Sequence, residues 1–464
     1  MQIILKNTIQ IPDIPLELKK SLCLNLTIQN PKWVENNRQG RWNKGVPEKL
    51  EFFAETPEKL TIPRGYMRQL INGCHKYNIA FQIEDKRALL GEVDFSFKGQ
   101  LKPFQQNACD DVLKKHFGVL TAPTGAGKTV MMLYVIAMRK QPALIVVHTK
   151  DLANQWVSRI EEFLGIPEDE IGIIGGGKFK IGEKITVAMV QTLYKKTKEV
   201  TPFIGNVIID ECHRTPSRTF TEAIMEFDSY YMTGLSATPF RRDRLSKLIF
   251  WHLGDVAHQI EKEHLVESGD ILKAEVFFKK TDFNSSLDPT MYYSKVMSEL
   301  IEDNGRNTLI AADIAKESTE TDGVCLVLSD RKAHCHRIAS ILKIDHNIEA
   351  DILTGDLSSS ERLEVLTRLE NNQIRILIAT SQLLGEGFDS KFLATLFLIY
   401  PIKFSGRLLQ YLGRILRPGA SQKKARVFDY IDHNIGVLEA AAKSRLYVYN
   451  KENIINYSDI QQIT

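Results

Sequence analysis

Short, unbroken apolar runs alternate along most of this chain with longer stretches whose apolar residues recur at helical spacing. VLTA (119–122), ALIVVH (143–148), ITVAMV (185–190) and NVIID (206–210) form one series. GVCLVLS (323–329), IRILIAT (374–380) and TLFLIY (395–400) form a second. Apolar runs without polar alternation predict strands buried on both faces, as parallel sheets require. DLANQWVSRIEEFL (151–164) and SSSERLEVLTRLEN (358–371) predict helices, the latter capped by Ser358 or Ser359. Strands alternating with helices imply an α/β fold with right-handed crossovers. The series pauses between residues 240 and 320, which predicts two tandem parallel-sheet domains, 96–258 and 259–448, and a tail at 449–464.

Residues 1–95 read differently. They combine a strand candidate, LCLNLTI (22–28), a helix candidate over 65–78 and frequent Pro and Gly. This pattern predicts a small separate N-terminal α+β domain. The chain has 464 residues, 43% hydrophobic and 25% charged, a globular composition that excludes a disordered or collagen-like polypeptide. Its six cysteines are scattered with no C-x-x-C pair, which points to reduced thiols and a cytoplasmic location. The start, MQIILKNTIQIPD, lacks the layout of a signal peptide, and no run approaches the roughly 20 apolar residues of a membrane span. With 60 Lys+Arg against 57 Asp+Glu, a net charge of +3, any nucleic-acid site has to be a local basic patch.

The chemistry is concentrated after two strands of the first series. Ala122-Pro123-Thr124-Gly125-Ala126-Gly127-Lys128-Thr129 follows the strand GVLTA and opens the helix VMMLYVIAMRK. Gly125 and Gly127 let backbone N–H groups close on phosphates, and the helix N-terminus adds partial positive charge. Lys128 can reach the β and γ phosphates of ATP, and the Thr129 hydroxyl can ligate Mg²⁺. Ala122 stands where a strict G-x-x-x-x-G-K-[ST] loop has its first glycine. NVIID then delivers Asp210 and Glu211 at its carboxyl end, where open α/β sheets bind ligands. Asp210 would hold Mg²⁺ through water, and Glu211 beside it would orient or deprotonate the attacking water. Cys212 reads as a buried small residue, and His213 as a link to neighbouring polar groups. His334-Cys335-His336 is adjacent in a helical stretch, so its side chains diverge and zinc is not expected.

Taken in order, Ala122–Thr129, Asp210–His213, Ser236-Ala237-Thr238, Thr380 with Gly385–Asp389, and Gln410–Arg417 resemble the motif series of superfamily-two helicases. Gln155-Trp156, Gly175–Gly177 and the Asp-Glu-Cys-His box are similar to those of the XPB-like DNA helicases and the phage branch-migration (UvsW-like) group. The resemblance implies two tandem RecA-like domains, with Gln105 of Leu101–Gln105 reading adenine and Gly387 and Asp389 at the nucleotide. It implies arginine fingers at Arg414 and Arg417, with Gln410 beside them. It further implies nucleic-acid contacts at Thr149, Gln191 and Thr192, and we add Thr354, Gly355 and Thr380 from their places after strands of the second domain. XPB-like proteins carry an Arg-Glu-Asp element after Ser-Ala-Thr; here Arg241-Arg242-Asp243 has arginine in place of the glutamate. The helix around Met291–Ile301 is either an inserted thumb of the XPB type or a packing helix. In the first 95 residues, Arg38, Arg41 and Trp42 lie around a turn and suit stacking and phosphate contact, the alternative being a hairpin with its tryptophans in the core.

The expectation is therefore an ATP- and Mg²⁺-dependent DNA helicase or translocase acting on single-stranded, forked or junction DNA, 3′ to 5′. Other replication or recombination proteins are its expected partners. An RNA helicase and a nucleotide-gated clamp that grips without unwinding are the competing readings.

Overall fold

The computed structural model describes residues 1–123, 125–214, 218–237, 246–272, 274–380, 390, 392–402, 408, 411–413, 415–416 and 425–451. They form two compact units that part between Glu261 and Lys262.

The first unit opens with seven short strands: β1 (Gln2–Leu5), β2 (Thr8–Pro12), β3 (Thr27–Gln29), β4 (Lys49–Glu51), β5 (Ala54–Glu55), β6 (Lys59–Pro63) and β7 (Gln82–Asp85). Five of them make a sheet in the order β5-β6-β2-β1-β7, and β3 pairs with β4 separately. Period-two alternation drives the sheet's inner face: Ile3 and Leu5, Ile9 and Ile11, and Leu60 and Ile62 point into one core. The segment 22–28, expected as a strand, is for the most part a helix, Leu16–Asn25, with only Thr27–Gln29 extended. The reason is spacing. Leu18, Leu22 and Leu26 recur every four residues and are buried, whereas Leu24 between them is 77% exposed.

That core does not close on itself. It takes in Leu248 and Trp251 from the helix Ser246–Leu253. Arg64 donates to the Ser229 carbonyl at 2.9 Å, and Arg87 to that of Tyr230 at 3.0 Å. A Cβ on Gly65 would lie 2.3 Å from the Phe250 carbonyl oxygen, so only glycine allows this approach.

The larger sheet of this unit contains β8 (Phe117–Thr121), β9 (Ala143–Val147), β10 (Gly172–Gly175), β11 (Lys178–Lys180), β12 (Ile185–Met189), β13 (Asn206–Ile209), β14 (Tyr231–Ser236) and β15 (Val256–Gln259). Their order is β11-β10-β12-β9-β13-β14-β8-β15. Every pairing is parallel except the β10–β11 hairpin. In the second unit β16 (Ala274–Lys280), β17 (Val324–Ser329), β18 (Asp351–Leu353), β19 (Ile376–Thr380), β20 (Leu393–Leu398) and β21 (Ala425–Ile431) follow the order β16-β21-β20-β17-β19-β18. All of these pairings are parallel. The expected α/β class with two tandem parallel sheets is what the chain adopts.

The helix Tyr293–Glu302 packs rather than projects. Its Val296, Met297 and Leu300 are buried with Phe283, Tyr400, Ile435 and Leu438. The predicted helices at 151–164 and 358–371 are Lys150–Leu164 and Ser359–Glu370, the second capped by Ser358 in a capping box with Glu361. All six cysteines are free. No helix among the described residues is long and apolar enough to cross a membrane.

Candidate nucleotide and nucleic-acid site

In a parallel sheet all carboxyl ends share one edge, so the loops after β8, β9, β12, β13 and β14 gather there. After β8 the chain is pinned by the Ala122 N–H donating to the Ser236 carbonyl at 3.0 Å. Pro123 follows, half-buried, and Gly125 and Gly127 take φ of +94° and +83°, the left-handed region that favours glycine. Gly127 then caps the helix Lys128–Arg139. A Cβ on Gly127 would sit 2.5 Å from Gln105 Nε2, so the amide of Gln105 lies directly against the bare Cα. Gln105 is itself buried, and its Oε1 accepts from the Lys102 N–H at 3.0 Å. Lys128 Nζ donates to the carbonyls of Ala122 at 2.9 Å and Pro123 at 3.3 Å. Ala126 is buried, and Thr129 is half-buried in the first helical turn.

After β13 the buried Asp210 carboxylate is held from two sides. Trp156 Nε1–H donates to Oδ2 at 2.9 Å, and the Glu211 N–H donates to Oδ1 at 2.9 Å. Burial, and then the charge of Glu211, raises the Asp210 pKa from 3.8 to about 6, against the opposing pull of the Trp156 N–H and of Lys128. Glu211 adopts φ +50°, a left-handed conformation unusual for glutamate. His213 Nδ1 lies 3.1 Å from Glu211 Oε2 and 3.4 Å from Ser236 Oγ. His213, read from the sequence as a link to neighbouring polar groups, thus lies between Glu211 and the end of β14. Cys212 is fully buried, which lifts its thiol pKa well above the usual range.

The arrangement fits a magnesium–nucleotide. Two glycines open the loop, a lysine stands on neutral carbonyls, and a desolvated acid pair lies on the same edge. Among the described residues no cluster of three or more His, Cys, Asp or Glu could hold a metal alone. Asp210 and Glu211 supply the one or two carboxylates with which Mg²⁺ is commonly bound alongside phosphate oxygens.

Thr149, Gln191 and Thr192 come together beside this site. β9 and β12 are neighbours, and Gln191 Nε2 donates to the His148 carbonyl at 3.0 Å. Thr149 caps the Lys150–Leu164 helix, accepting from the Leu152 N–H at 3.3 Å. In the second unit, Thr380 ends β19 and Thr354 follows its neighbour β18, in register. Both hydroxyl-bearing residues are buried, and Gly355 beside them is exposed. Arg38, Arg41 and Trp42 lie elsewhere, Arg38 ending the helix Pro31–Arg38 and the other two in the turn that follows it. The alternative of a hairpin with core tryptophans does not hold: Trp33 is half-buried and Trp42 is 84% exposed. Asn43 pins this turn, bonded to Asn36 at 2.9 Å and Asn37 at 2.7 Å. Thr124, Thr238, Arg241–Asp243, Gly387, Asp389, Gln410, Arg414 and Arg417 lie outside the described residues. His334 is buried between Ser329 and Asn307, Cys335 is buried and His336 exposed, so the three side chains lie in different surroundings. Sequence reasoning noticed Trp156 as a family mark and missed its bond to Asp210, because a contact across 54 residues has no local signal.

Residues 98–241 match the family described as "Type III restriction enzyme, res subunit", and residues 304–419 match "Helicase conserved C-terminal domain". The "DNA 3'-5' translocase XPB2" of Sulfurisphaera tokodaii is 27% identical over 74% of this chain and 85% of its own length. The "ATP-dependent DNA helicase uvsW" of Enterobacteria phage T4 is 23% identical over 83% of this chain and 82% of its own. A relative from the Sulfolobus islandicus filamentous virus is 26% identical over 72% of the chain, and the match spans 64% of that relative. Among solved structures, S. cerevisiae Dbp5 bound to RNA and ADP BeF3 superposes with a TM-score of 0.54 at 15% identity, covering 78% of this chain and 93% of that one. This likeness concerns the fold, a tandem RecA-like pair. With the motif series and its geometry on one sheet edge, the chain belongs to the superfamily-two helicases, in the XPB-like and UvsW-like group.

Proposed function

We propose that this protein is an ATP- and Mg²⁺-dependent DNA helicase or translocase that unwinds or branch-migrates forked or junction DNA, 3′ to 5′, in recombination, repair or replication. The observation that carries the reading is the shared edge. The glycine loop with Lys128, the Asp210–Glu211 pair and the Thr149–Gln191 cluster all follow parallel strands of one sheet. The relatives named for DNA support the choice of DNA, and the XPB2 name supports the polarity.

Bound Mg²⁺·ATP supplies the hydrolysable phosphoanhydride and the cation that screens it. The chain's own groups do the rest. Backbone N–H groups of Gly125–Thr129 and the helix N-terminus face the phosphates, with Lys128 moving from its two carbonyls to a phosphate. Gln105 reads the base. Thr129 and Asp210 hold the cation, with Glu211 beside them. Glu211 orients water and takes its proton, with His213 fixing its carboxylate. Gly387, Asp389, Gln410, Arg414 and Arg417 are assigned to the nucleotide by the family pattern, the arginines as fingers on the γ-phosphate. Thr149, Gln191, Thr192, Thr354, Gly355 and Thr380 contact the DNA backbone, which fixes register without reading sequence. The exposed turn bearing Arg38, Arg41 and Trp42 adds a stacking surface.

The test is ATP hydrolysis without nucleic acid and with single-stranded DNA, blunt duplex, fork, four-way junction and matched RNA. Strongest stimulation by fork or junction DNA is expected. Stimulation by RNA alone would move the protein to RNA substrates, and none by any of them would favour a clamp.

A further inference from the structure

We propose that Trp156 is a positioning residue that links nucleic-acid capture at Thr149 to the cation-holding carboxylate of Asp210; this rests on the roles given to Thr149 and Asp210 above. Indole N–H is a donor with no acceptor capacity, and it neither titrates near neutrality nor binds Mg²⁺. It therefore orients a carboxylate without competing for the ion. Trp156 is 1% exposed and Asp210 8%, and their 2.9 Å bond is buried. Because Oδ1 accepts from the Glu211 N–H at 2.9 Å, each carboxylate oxygen carries one fixed N–H. The plane of the carboxylate, and so the direction of its remaining lone pairs, is set by these two donors.

The other end of the link is the start of the same helix. Trp156 belongs to Lys150–Leu164, which Thr149 caps. Gln191 Nε2, in the helical turn Val190–Leu193 that follows β12, donates to the His148 carbonyl next to that cap. Seven residues of helix, roughly 10 Å at about 1.5 Å per residue, separate the cap from the indole. A DNA phosphate that shifts the cap moves the helix as a rigid rod, and the indole carries that shift to Asp210. Partners that orient metal-ligating groups typically change metal affinity by about 10–100-fold when removed.

Two measurements decide it. In the first, binding of Mn²⁺·ADP is followed by electron paramagnetic resonance with and without single-stranded DNA, and DNA binding with and without Mn²⁺·ADP. In the wild type each ligand tightens the other by the same factor, as linkage demands. Trp156→Phe keeps an apolar ring and removes the N–H. It is expected to weaken Mn²⁺ about tenfold and bring the coupling factor towards one, with DNA affinity in the absence of nucleotide unchanged. Ile160→Val, a buried packing change in the same helix, leaves both intact. Undiminished coupling and metal affinity in a folded Trp156→Phe overturns the assignment alone. A wild type without coupling overturns the proposed function, and this assignment with it. The second measurement needs no variant: among the four tryptophans, labelled with ¹⁵N, the Trp156 indole N–H resonance shifts when DNA is added without nucleotide. A resonance that stays in place overturns the link.

Discussion

The two parallel sheets bury charge in opposite ways. At the carboxyl edge of the first, the Asp210 carboxylate accepts from an indole N–H and a backbone N–H, and Lys128 donates to two backbone carbonyls. In the second, described buried acids meet cations directly. Asp429 receives the Arg445 guanidinium at 2.6 Å together with the Tyr449 hydroxyl at 2.8 Å. Asp432 receives Arg306 at 2.7 Å and the Thr281 hydroxyl at 2.6 Å. Glu317 accepts from both Thr395 and Arg426 at 2.7 Å. A buried charge whose counter-charge is already bound builds the fold. One oriented by neutral groups at a strand end retains its capacity for a ligand. Burial alone does not separate the two cases; the identity of the partner does.

The sharpest way to break this contrast is to change one group of each kind. Glu211→Gln should lower ATP turnover by about 10²–10⁴ while nucleotide still binds and the melting midpoint holds. Steady-state hydrolysis with a parallel melt checks it, and unchanged turnover would remove Glu211 from the chemistry. Arg445→Met should do the reverse. Leaving Asp429 buried without its cation costs about 3–5 kcal/mol of stability, and replacing both members with apolar residues recovers most of it. Urea unfolding of the single and double variants measures this; equal loss in both would mean that packing, not charge, sets the cost.

A smaller effect is expected where no burial is involved. Trp42→Ala should weaken single-stranded DNA binding by about 1–3 kcal/mol if a base stacks on it, with hydrolysis in the absence of DNA unaltered. Fluorescence titration at fixed salt reads it, and unchanged affinity would confine the nucleic-acid surface to the strand ends. A last effect, comparable in size, sharpens the second sheet. His334 is lowered from 6.5 to about 3 by burial and then by the charges of Arg306 and Arg337. Its Nδ1 is 3.1 Å from Ser329 Oγ and its Nε2 is 3.0 Å from Asn307 Oδ1, a pair satisfied by the neutral ring with its proton on Nε2. The unfolded chain therefore binds the extra proton between pH 6.5 and 3. Stability is full above that window and falls as pH drops through it, by up to about 1.4 kcal/mol per pH unit. Urea unfolding at pH 7 and pH 5 should show a flatter pH dependence for His334→Gln; an identical slope would reject the neutral buried ring.

How far the sequence could be read follows from the range over which each interaction acts. Strands such as Ala143–Val147 and Ile376–Thr380 are legible because burial on both faces writes itself into five consecutive residues. The glycine loop is legible because its function needs adjacent residues. Segment 22–28 misled because a stripe at spacing four resembles a continuous run when only seven residues are considered. The bond from Trp156 to Asp210, and the residence of Trp251 in the N-terminal core, are settled by tertiary packing and leave no periodic trace.

That last contact has a consequence for how such a chain can be altered. With Leu248 and Trp251 seated among Ile3, Ile9 and Leu70, the first 95 residues are a keystone and not a cassette. Cutting them away would uncover an apolar scar on the helix that follows the Ser-Ala-Thr strand, and strip Ser229 and Tyr230 of their arginine donors. Transplanting them onto another motor would require its matching helix as well. The proposed contacts of Arg41 and Trp42 are therefore to be tested by surface point changes, since truncation would also uncover the core that Leu248 and Trp251 share.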